Sequence, residues 1–267
     1  MRSSMQRDGL NNKVALITGS SRGLGTAIAR KFARAGCDVV INYRKAGGAS
    51  ERQGEDLCRE IRAMGRRALL VQADISIRDT VKKLFDETKK EFGALDYLVL
   101  NAARAPFKPL EKLFERELRQ LVETNYLGHL FCVQEALPLL EQAEGRVVFI
   151  SSLGSRFYSP AYPLGSMKAA MECAVRDLAE SLRARNVPVN GVCAGLIRTD
   201  SLKTLRQHWD WLERVPDKYF VDPEEIADVV VFLCACESRG ILGQTLVVDR
   251  GLSNTLHAPF APEGTAG

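Results

Sequence analysis

The sequence predicts an α/β protein with three layers, built on a doubly wound sheet of seven mainly parallel strands. Two observations predict this fold: short apolar runs alternate with longer amphipathic stretches, and nearly all of the short runs are apolar throughout. A strand in a parallel sheet is covered by helices on both faces, so it reads as a continuous apolar run. Repeated β-α-β units with right-handed crossovers then place helices on both sides of one sheet.

The individual elements follow in order along the chain. The predicted strands are Val14–Thr18, Asp38–Tyr43, Ala68–Ala73, Tyr97–Asn101, Arg146–Ser151, Val187–Val192 and Thr245–Asp249. The predicted helices are Leu24–Ala35, Ala49–Met64, Arg78–Phe92, Glu115–Leu140, Leu164–Ala184 and Pro223–Cys236. The start of the last helix is explicit, because Asp222 can cap it, Pro223 suits the first helical turn and Glu225 can bond back to the cap.

Length and composition predict one domain over residues 1–254 and a flexible tail over residues 255–267, which are rich in Pro, Gly and Ala. The net charge of +4 comes from scattered residues, which gives no nucleic-acid signature. No run approaches the ~18–20 apolar residues of a membrane span, and residues 1–12 lack an apolar signal core. Seven cysteines, mostly in apolar runs and without zinc spacing, predict a cytoplasmic protein with no metal.

Residues 200–221 break the alternation just after the sixth strand. This segment contains His208, Trp209 and Trp211. We interpret it as a lid over the substrate, with a surface helix anchored by aromatic side chains as the alternative. His208 is then a candidate substrate contact, whereas His129 is interpreted as a packed or solvated residue on a helix.

A glycine-rich turn joins the first strand to the first helix. In Thr18-Gly19-Ser20-Ser21-Arg22-Gly23-Leu24-Gly25, Gly19 permits the tight turn, Gly23 lets the backbone approach a pyrophosphate, and Gly25 lets helix and strand pack closely. The helix N-terminus offers free N–H groups to the phosphates. This placement between strand and helix predicts a Rossmann-type, dinucleotide-binding domain.

Charge at the end of the second strand predicts which dinucleotide binds. NAD enzymes of this type place an acidic residue there to hold the ribose 2′-OH, but this strand ends Ile41-Asn42-Tyr43-Arg44. Arg44 can face a 2′-phosphate, and Arg22 can approach the same phosphate from the glycine turn. We therefore predict NADPH as the cofactor.

These residues together resemble the short-chain dehydrogenase/reductase family over about residues 12–253. The resemblance implies the strand order 3-2-1-4-5-6-7 and a wider cofactor site. Asp74 is similar to the aspartate that contacts adenine, Asn125 to the asparagine that helps to hold a proton-relay water, and Thr199 to the threonine that holds the nicotinamide carboxamide. The full set of residues that the turn, the charges and the resemblance assign to the cofactor is Gly19, Ser21, Arg22, Gly23, Leu24, Gly25, Tyr43, Arg44, Asp74, Ile75, Asn101, Ala102, Ala103, Lys168, Gly195, Ile197 and Thr199.

The catalytic segment departs from the family's usual Tyr-x3-Lys pattern. With Lys168 as the lysine, the tyrosine position holds Leu164, and the nearest tyrosines are Tyr162 and Tyr158. The segment from Ser151 to Tyr158 resembles enoyl-acyl-carrier-protein reductase III, the NADPH-using type, in which six residues separate tyrosine and lysine; here five do. Pro163 favours the first helical position and pushes the preceding residue out of the helix. Tyr162 therefore lies before the helix, so helical periodicity does not set the direction of its side chain, and the phenol can turn toward the nicotinamide.

The proposed catalytic residues are Tyr162, Lys168, Ser152, Asn125 and Tyr158. Tyr162 would donate a proton to the substrate oxygen, and Lys168 would hold the ribose hydroxyls and lower the tyrosine pKa. Ser152 and Asn125 would support them, and Tyr158 is a second candidate donor or a wall of the acyl pocket.

Three functions remain open on the sequence alone. The first is reduction of an enoyl thioester on acyl carrier protein or coenzyme A, within fatty acid or polyketide biosynthesis. The second is reduction of the carbonyl of a β-ketoacyl thioester or a specialised metabolite, and the third is NADPH binding without turnover, as a sensor. The expected partners are a small or carrier-bound acyl substrate and further copies of the chain in a dimer or tetramer, with no nucleic acid or membrane. Arg59, Arg62, Arg66 and Arg67 could steer an acidic carrier protein or form a solvated face.

Overall fold

The computed structural model describes residues 10–255, and its centre is a seven-stranded parallel sheet. The strands are β1 Val14–Ile17, β2 Asp38–Tyr43, β3 Ala68–Gln72, β4 Tyr97–Leu100, β5 Arg146–Ser152, β6 Val189–Ala194 and β9 Thr245–Val248. They lie in the order β3-β2-β1-β4-β5-β6-β9, which confirms the predicted topology. The winding reverses between β1 and β4, so the crevice at this switch point is where such sheets bind ligands.

Helices cover both faces of the sheet. They are α1 Gly23–Arg34, α2 Ala49–Ala63, α3 Arg78–Phe92, α4 Glu115–Val122, α5 Gly128–Ala143, α6 Leu164–Ser181, α7 Asp200–Arg206 and α8 Pro223–Cys234. α1, α2 and α8 bury apolar residues such as Phe32 and Ile226 against one face. α3, α5 and α6 bury residues such as Leu84 and Met171 against the other face. As the sequence predicts, α8 begins with Pro223, and the Asp222 N–H donates to the Glu225 carboxylate over 2.8 Å.

The predicted helix Glu115–Leu140 is helical throughout, but a π-helical turn at Glu123–Leu127 divides it into α4 and α5. The side chain of Asn125 explains this change in the helix. Its amide donates to the carbonyl oxygen of Leu121, one turn earlier, over 2.8 Å, and to that of Arg104 over 2.6 Å. The helix therefore widens where a buried amide bonds to the loop after β4.

The sixth strand begins two residues later than the predicted Val187. Pro188 has no N–H for the ladder, so it only accepts the N–H of Val147 over 2.9 Å, and pairing starts at Val189. The structure also adds a short parallel pair that the sequence did not predict, β7 Leu196–Ile197 with β8 Phe220–Val221. This pair closes the two ends of the segment 200–221.

Segment 200–221 has a small core of its own. Trp209, Leu212 and Phe220 are buried there, together with Leu202 and Val215. None of the helices within residues 10–255 is both long and apolar enough to cross a membrane. The predicted tail, apart from Thr255, and residues 1–9 of the predicted domain lie outside the described residues.

Candidate active site

The glycine turn between β1 and α1 is built by contacts that only glycine permits. Gly19 has a φ of +62°, and a Cβ there would lie 3.0 Å from the Cα of Ala102. A Cβ on Gly25 would lie 2.6 Å from the carbonyl oxygen of Gly19. Gly23, in contrast, has a φ of +59° and faces open space, and no side chain caps the N-terminus of α1. The turn is therefore rigid on its inner side and open where a pyrophosphate would approach.

Asn42, near the end of β2, holds this turn in place, and the sequence analysis did not single it out for that role. Its side-chain oxygen accepts the N–H of Gly19 over 3.0 Å, and its amide donates to the carbonyl of Ala73 over 3.0 Å. Its own N–H donates to the hydroxyl of Ser20 over 3.1 Å. The signal that could have found it is an amide side chain directly after the apolar run Val39–Ile41 of β2.

The ends of β1 and β4 are joined by a second set of hydrogen bonds. The hydroxyl of Thr18 accepts the N–H groups of Asn101 and Ala102 over 2.9 and 3.0 Å. The Asn101 amide donates back to the Thr18 carbonyl over 2.9 Å. The residue assigned to adenine, Asp74, uses one carboxylate oxygen to accept the N–H and the hydroxyl of Ser76.

Two arginines, and no acidic residue, stand where the glycine turn and the end of β2 would face the ribose of a dinucleotide. Arg22 and Arg44 are exposed, and neither forms an ion pair with any residue in the range 10–255. The hydroxyl of Tyr43 donates to Glu51 over 2.5 Å, so it is already engaged. A cleft of about 770 Å³ runs from Ser21, Arg22 and Gly23 to Thr199 and the segment 200–221.

The remaining residues assigned to the cofactor lie around the same edge of the sheet. Leu24 is in α1, Ile75 follows β3, Ala103 follows β4, Gly195 follows β6 and Ile197 is in β7. A Cβ on Gly195 would lie 2.7 Å from the Cβ of Asp249, so this glycine lets the chain leave β6 close to the end of β9. These residues thus lie at the carboxyl ends of the strands or in the segments that follow them.

Lys168 reaches the core from α6. Its helix begins at Leu164, and the glycine that follows packs so closely on Gly154 that a Cβ at Gly165 would overlap the Gly154 carbonyl oxygen. The ammonium donates to the carbonyl of Ile150 over 2.6 Å and lies 4.8 Å from the centre of the Phe149 ring. Burial lowers the pKa of Lys168 to about 8, although Cys193 and Glu172 oppose this shift.

Tyr162 stands just before α6, as the sequence predicts, but it is enclosed by other rings. It stacks on Phe107 with the ring centres 4.9 Å apart and meets the edge of Trp209 at 6.2 Å. Burial raises the pKa of Tyr162, and no charged group within residues 10–255 contributes to this shift. The expectation that Lys168 lowers the pKa of this tyrosine was therefore wrong for this conformation. Tyr158 is 87% exposed.

The two supporting residues differ in how they are used. Ser152 is half-buried at the end of β5, and the neighbouring Ser151 donates to Glu172 over 2.5 Å. The Asn125 side chain accepts the N–H of Arg104 over 2.9 Å as well as donating to the two carbonyls described above. Its side chain therefore shapes the loop after β4.

Segment 200–221 packs over the loop that carries Tyr162. Its His208 stacks on the same Phe107 with ring centres 4.6 Å apart, and Trp209 donates from its indole N–H to the carbonyl of Pro160 over 2.5 Å. A cavity of about 200 Å³ lies beside Tyr162, lined by apolar groups that include Leu110 and Phe157. The cavity is partly open to solvent, and its lining comes from the loops after β4 and β5 and from the start of α6 rather than from segment 200–221.

Comparisons with known proteins agree with this geometry. Residues 19–253 match the family model described as enoyl-(acyl carrier protein) reductase. The chain belongs to the short-chain dehydrogenase/reductase family. It is 36% identical to 1-cyclohexenylcarbonyl-CoA reductase of Streptomyces collinus, over 95% of this chain and 91% of that protein. It is 32% identical to a 3-oxoacyl-[acyl-carrier-protein] reductase of Staphylococcus epidermidis, over 90% and 99%.

A solved reductase structure has the same fold. L-Sorbose reductase from Gluconobacter frateurii, complexed with NADPH and L-sorbose, superposes with a TM-score of 0.84 at 27% identity, covering 94% of this chain and 100% of that one. This chain is therefore an oxidoreductase of the short-chain dehydrogenase/reductase family. Within it, the position one helical turn before the lysine carries Leu164, which is buried.

Proposed function

We propose that this protein is an NADPH-dependent reductase that reduces the C=C bond of an enoyl thioester. The observation that carries the proposal is the start of α6: Leu164 occupies the position one turn before Lys168, and Tyr162 stands outside the helix. A leucine cannot donate a proton, and the longer tyrosine–lysine spacing that results when Tyr162 is the donor resembles that of the enoyl reductase branch. The 36% identical relative supports this choice, since its name describes a cyclohexenylcarbonyl thioester as the substrate.

The cofactor assignment rests on fit. The open face at Gly23 and the uncapped N-terminus of α1 suit a pyrophosphate, and exposed Arg22 and Arg44 suit a 2′-phosphate. Asp74 keeps one carboxylate oxygen for adenine, and Lys168 and Thr199 would hold the ribose and the nicotinamide carboxamide. When bound, NADPH supplies the hydride.

The chain itself supplies the proton and the enclosure. As charge builds on the thioester carbonyl oxygen, the Tyr162 phenol donates a hydrogen bond or a proton to it. The raised pKa of this phenol keeps it protonated at neutral pH, which is the form that a donor needs. Ser152 offers a second hydroxyl, Tyr158 lines the acyl cavity, and Asn125 holds the loop after β4. Segment 200–221 acts as a lid over the phenol itself, because its Trp209 packs against Tyr162.

A ketoreductase is the second candidate. It is supported by the 32% identical 3-oxoacyl relative and by Ser152, whose position suits a carbonyl substrate. A crotonyl thioester and an acetoacetyl thioester, assayed side by side with NADPH, separate the two. We expect oxidation of NADPH with the crotonyl substrate. Activity on the acetoacetyl substrate alone would replace the proposal by the second candidate, and tight NADPH binding without any oxidation would leave the sensor.

We also propose that the chain works as a dimer or tetramer in the cytoplasm. An apolar stripe supports self-association, because Phe114, Leu118 and Val122 follow each other at four-residue spacing along α4 and are 70%, 40% and 39% exposed. Analytical ultracentrifugation of Phe114→Lys tests it, with a shift toward monomer expected. Of the arginines near α2, Arg59 and Arg67 pair with carboxylates, whereas Arg62 and Arg66 bond to backbone carbonyls, which leave their charge unneutralised. Steering of an acidic carrier protein and a solvated basic face therefore stay alternative predictions.

A further inference from the structure

Tyr162 lies in a turn between β5 and α6, outside the helix that carries Lys168. Its hydroxyl has no hydrogen-bond partner within residues 10–255. The residue before it, Ala161, has a φ of +49°, in the left-handed region that residues with a side chain rarely adopt. Such a strained residue persists only where the surrounding structure holds it in place. Contacts with other parts of the chain must therefore fix this turn and give the Tyr162 ring its direction.

Two aromatic side chains from elsewhere in the chain contact the Tyr162 ring. Phe107, in the loop after β4, stacks on it with the ring planes 19° apart and the centres 4.9 Å apart. Trp209 meets it edge to face, with the planes at 78° and the centres 6.2 Å apart. Aromatic pairs favour both of these geometries. We call Phe107 and Trp209 the aromatic clamp.

Both rings of the aromatic clamp are anchored in turn. The indole N–H of Trp209 donates to the carbonyl of Pro160, in the turn before the tyrosine, over 2.5 Å. His208, the neighbour of Trp209 in the chain, stacks on Phe107 with the planes 8° apart and the centres 4.6 Å apart. Two consecutive residues therefore hold one ring of the clamp each, so the clamp has a fixed position against the tyrosine.

We propose that Phe107 is a positioning residue, which orients the ring of the proton donor by stacking on it. In a Tyr-x3-Lys arrangement the tyrosine lies one helical turn before the lysine, so helical periodicity sets its direction. Here Leu164 holds that position, and the aromatic clamp does for Tyr162 what the helix cannot do. The catalytic meaning of the clamp rests on the proposed function, because that proposal makes Tyr162 the donor.

Loss of the Phe107 ring should have a specific kinetic signature. A donor that is misplaced by about 1 Å can cost about 10²-fold in rate, so we expect kcat for the crotonyl thioester to fall about 10–100-fold in Phe107→Leu. Phe107 is not among the residues that line the cavity beside Tyr162, and it forms no hydrogen bond with the glycine turn through its side chain. The KM values for the thioester and for NADPH should therefore stay within about twofold of the parent.

The first test reads the tyrosine ring directly, without cofactor or turnover. NMR relaxation of ¹³C-labelled tyrosine gives the order parameter of the Tyr162 ring, whose signal is assigned by its loss in Tyr162→Phe. We expect about 0.85 in the parent, which marks a rigid group, and less than about 0.6 in Phe107→Leu. A Tyr162 ring that stays rigid in Phe107→Leu contradicts the inference, and so does parent-like kcat with a mobile ring.

Two further variants separate stacking from a general loss of packing. Phe107→Tyr keeps a ring in the stack and should restore most of the order parameter and of kcat. Phe92→Leu is the matched control, because it removes a half-buried ring that lies under Arg67 at the end of α3, and it should change neither quantity. An equal loss of order in Phe107→Tyr or in Phe92→Leu would show that stacking on position 107 is not what holds the tyrosine.

A second measurement needs no variant, so it decides the question even should Phe107→Leu fail to fold. A crystal structure of the parent with NADPH should show the Tyr162 ring still stacked on Phe107, with the centres about 5 Å apart. A ring that has left Phe107 in this complex overturns the inference. A parent that reduces neither the crotonyl nor the acetoacetyl thioester refutes the proposed function, whereas the order parameters and the crystal structure still decide whether the clamp holds the tyrosine.

Discussion

Arg44 at the end of β2 should decide between the two nicotinamide cofactors, and its replacement gives the sharpest test of cofactor choice. The guanidinium is exposed and has no carboxylate partner in the described chain, so nothing inside the protein competes with a 2′-phosphate for it. A hydrogen bond to a charged group at an exposed site corresponds to about a tenfold change in affinity. We expect Arg44→Ala to weaken NADPH binding about tenfold and Arg22→Ala/Arg44→Ala about a hundredfold, with NADH binding unchanged.

Fluorescence titration of each variant with NADPH and with NADH measures this directly. Arg34→Ala is the matched control, because this exposed arginine lies at the far end of α1, roughly 16 Å from Gly23 along the helix. That distance exceeds the Debye length of about 10 Å in 0.1 M salt, so its charge should be screened. The NADPH preference should also weaken as salt rises. Parent-like NADPH affinity in the double variant, or equal affinity of the parent for both cofactors, would refute the reasoning.

Three further predictions follow from the site. Tyr162→Phe should lower NADPH oxidation with an enoyl thioester by about 10²–10⁴-fold, whereas Tyr158→Phe, at a side chain that is 87% exposed, should stay active; the reverse result exchanges their roles. Lys168→Met should raise the free energy of unfolding by about 1–3 kcal/mol at pH 7, because burial lowers the pKa of the ammonium to about 8, below its unfolded value. This gain should shrink as the pH rises from about 8 to about 10.5. Urea titrations at about pH 7 and pH 10 measure the gain, and a difference that does not depend on pH contradicts the cause. Gly25→Ala should lower the free energy of unfolding by about 1–3 kcal/mol, measured by thermal unfolding, because its Cβ would lie 2.6 Å from a backbone oxygen. Gly240→Ala, where the surrounding space is open, is the control and should lower it little. Equal losses in the two variants would show that crowding is not the cause.

The sheet was predictable because its signal is local and repeated. Each buried strand is an apolar run, and the glycine turn marks where the first strand ends. The order of the strands in the sheet came from the family resemblance that this turn supports. The π-helical turn within Glu115–Leu140 was not predictable in this way. Its cause is the bonding of Asn125 to Arg104, which is 21 residues away along the chain. The short β7–β8 pair depends likewise on the return of the chain after segment 200–221.

The candidate site was predictable in its residue types rather than in its contacts. The sequence placed Tyr162 before the helix, because Pro163 disfavours helical backbone angles at the residue that precedes it. The contacts of Tyr162 with Phe107 and Trp209 join three separate loops, and the burial that results reverses the expected direction of the tyrosine pKa. Periodicity gave His129 a place on a helix but gave no sign that neither ring nitrogen would have a hydrogen-bond partner within residues 10–255.

The hydrogen bonds of Asn42 separate two tasks that adjoin in the chain. This side chain ties the glycine turn to the ends of β2 and β3, while Arg44, to which we assign the choice of cofactor, lies two positions further on and contributes no side-chain bond to that tie. A substitution at position 44 should therefore change the preference between the two nicotinamide cofactors without disturbing the backbone of the glycine turn. Substitution of Asn42 should weaken the binding of either cofactor, because it removes the hydrogen bonds that hold the glycine turn in place.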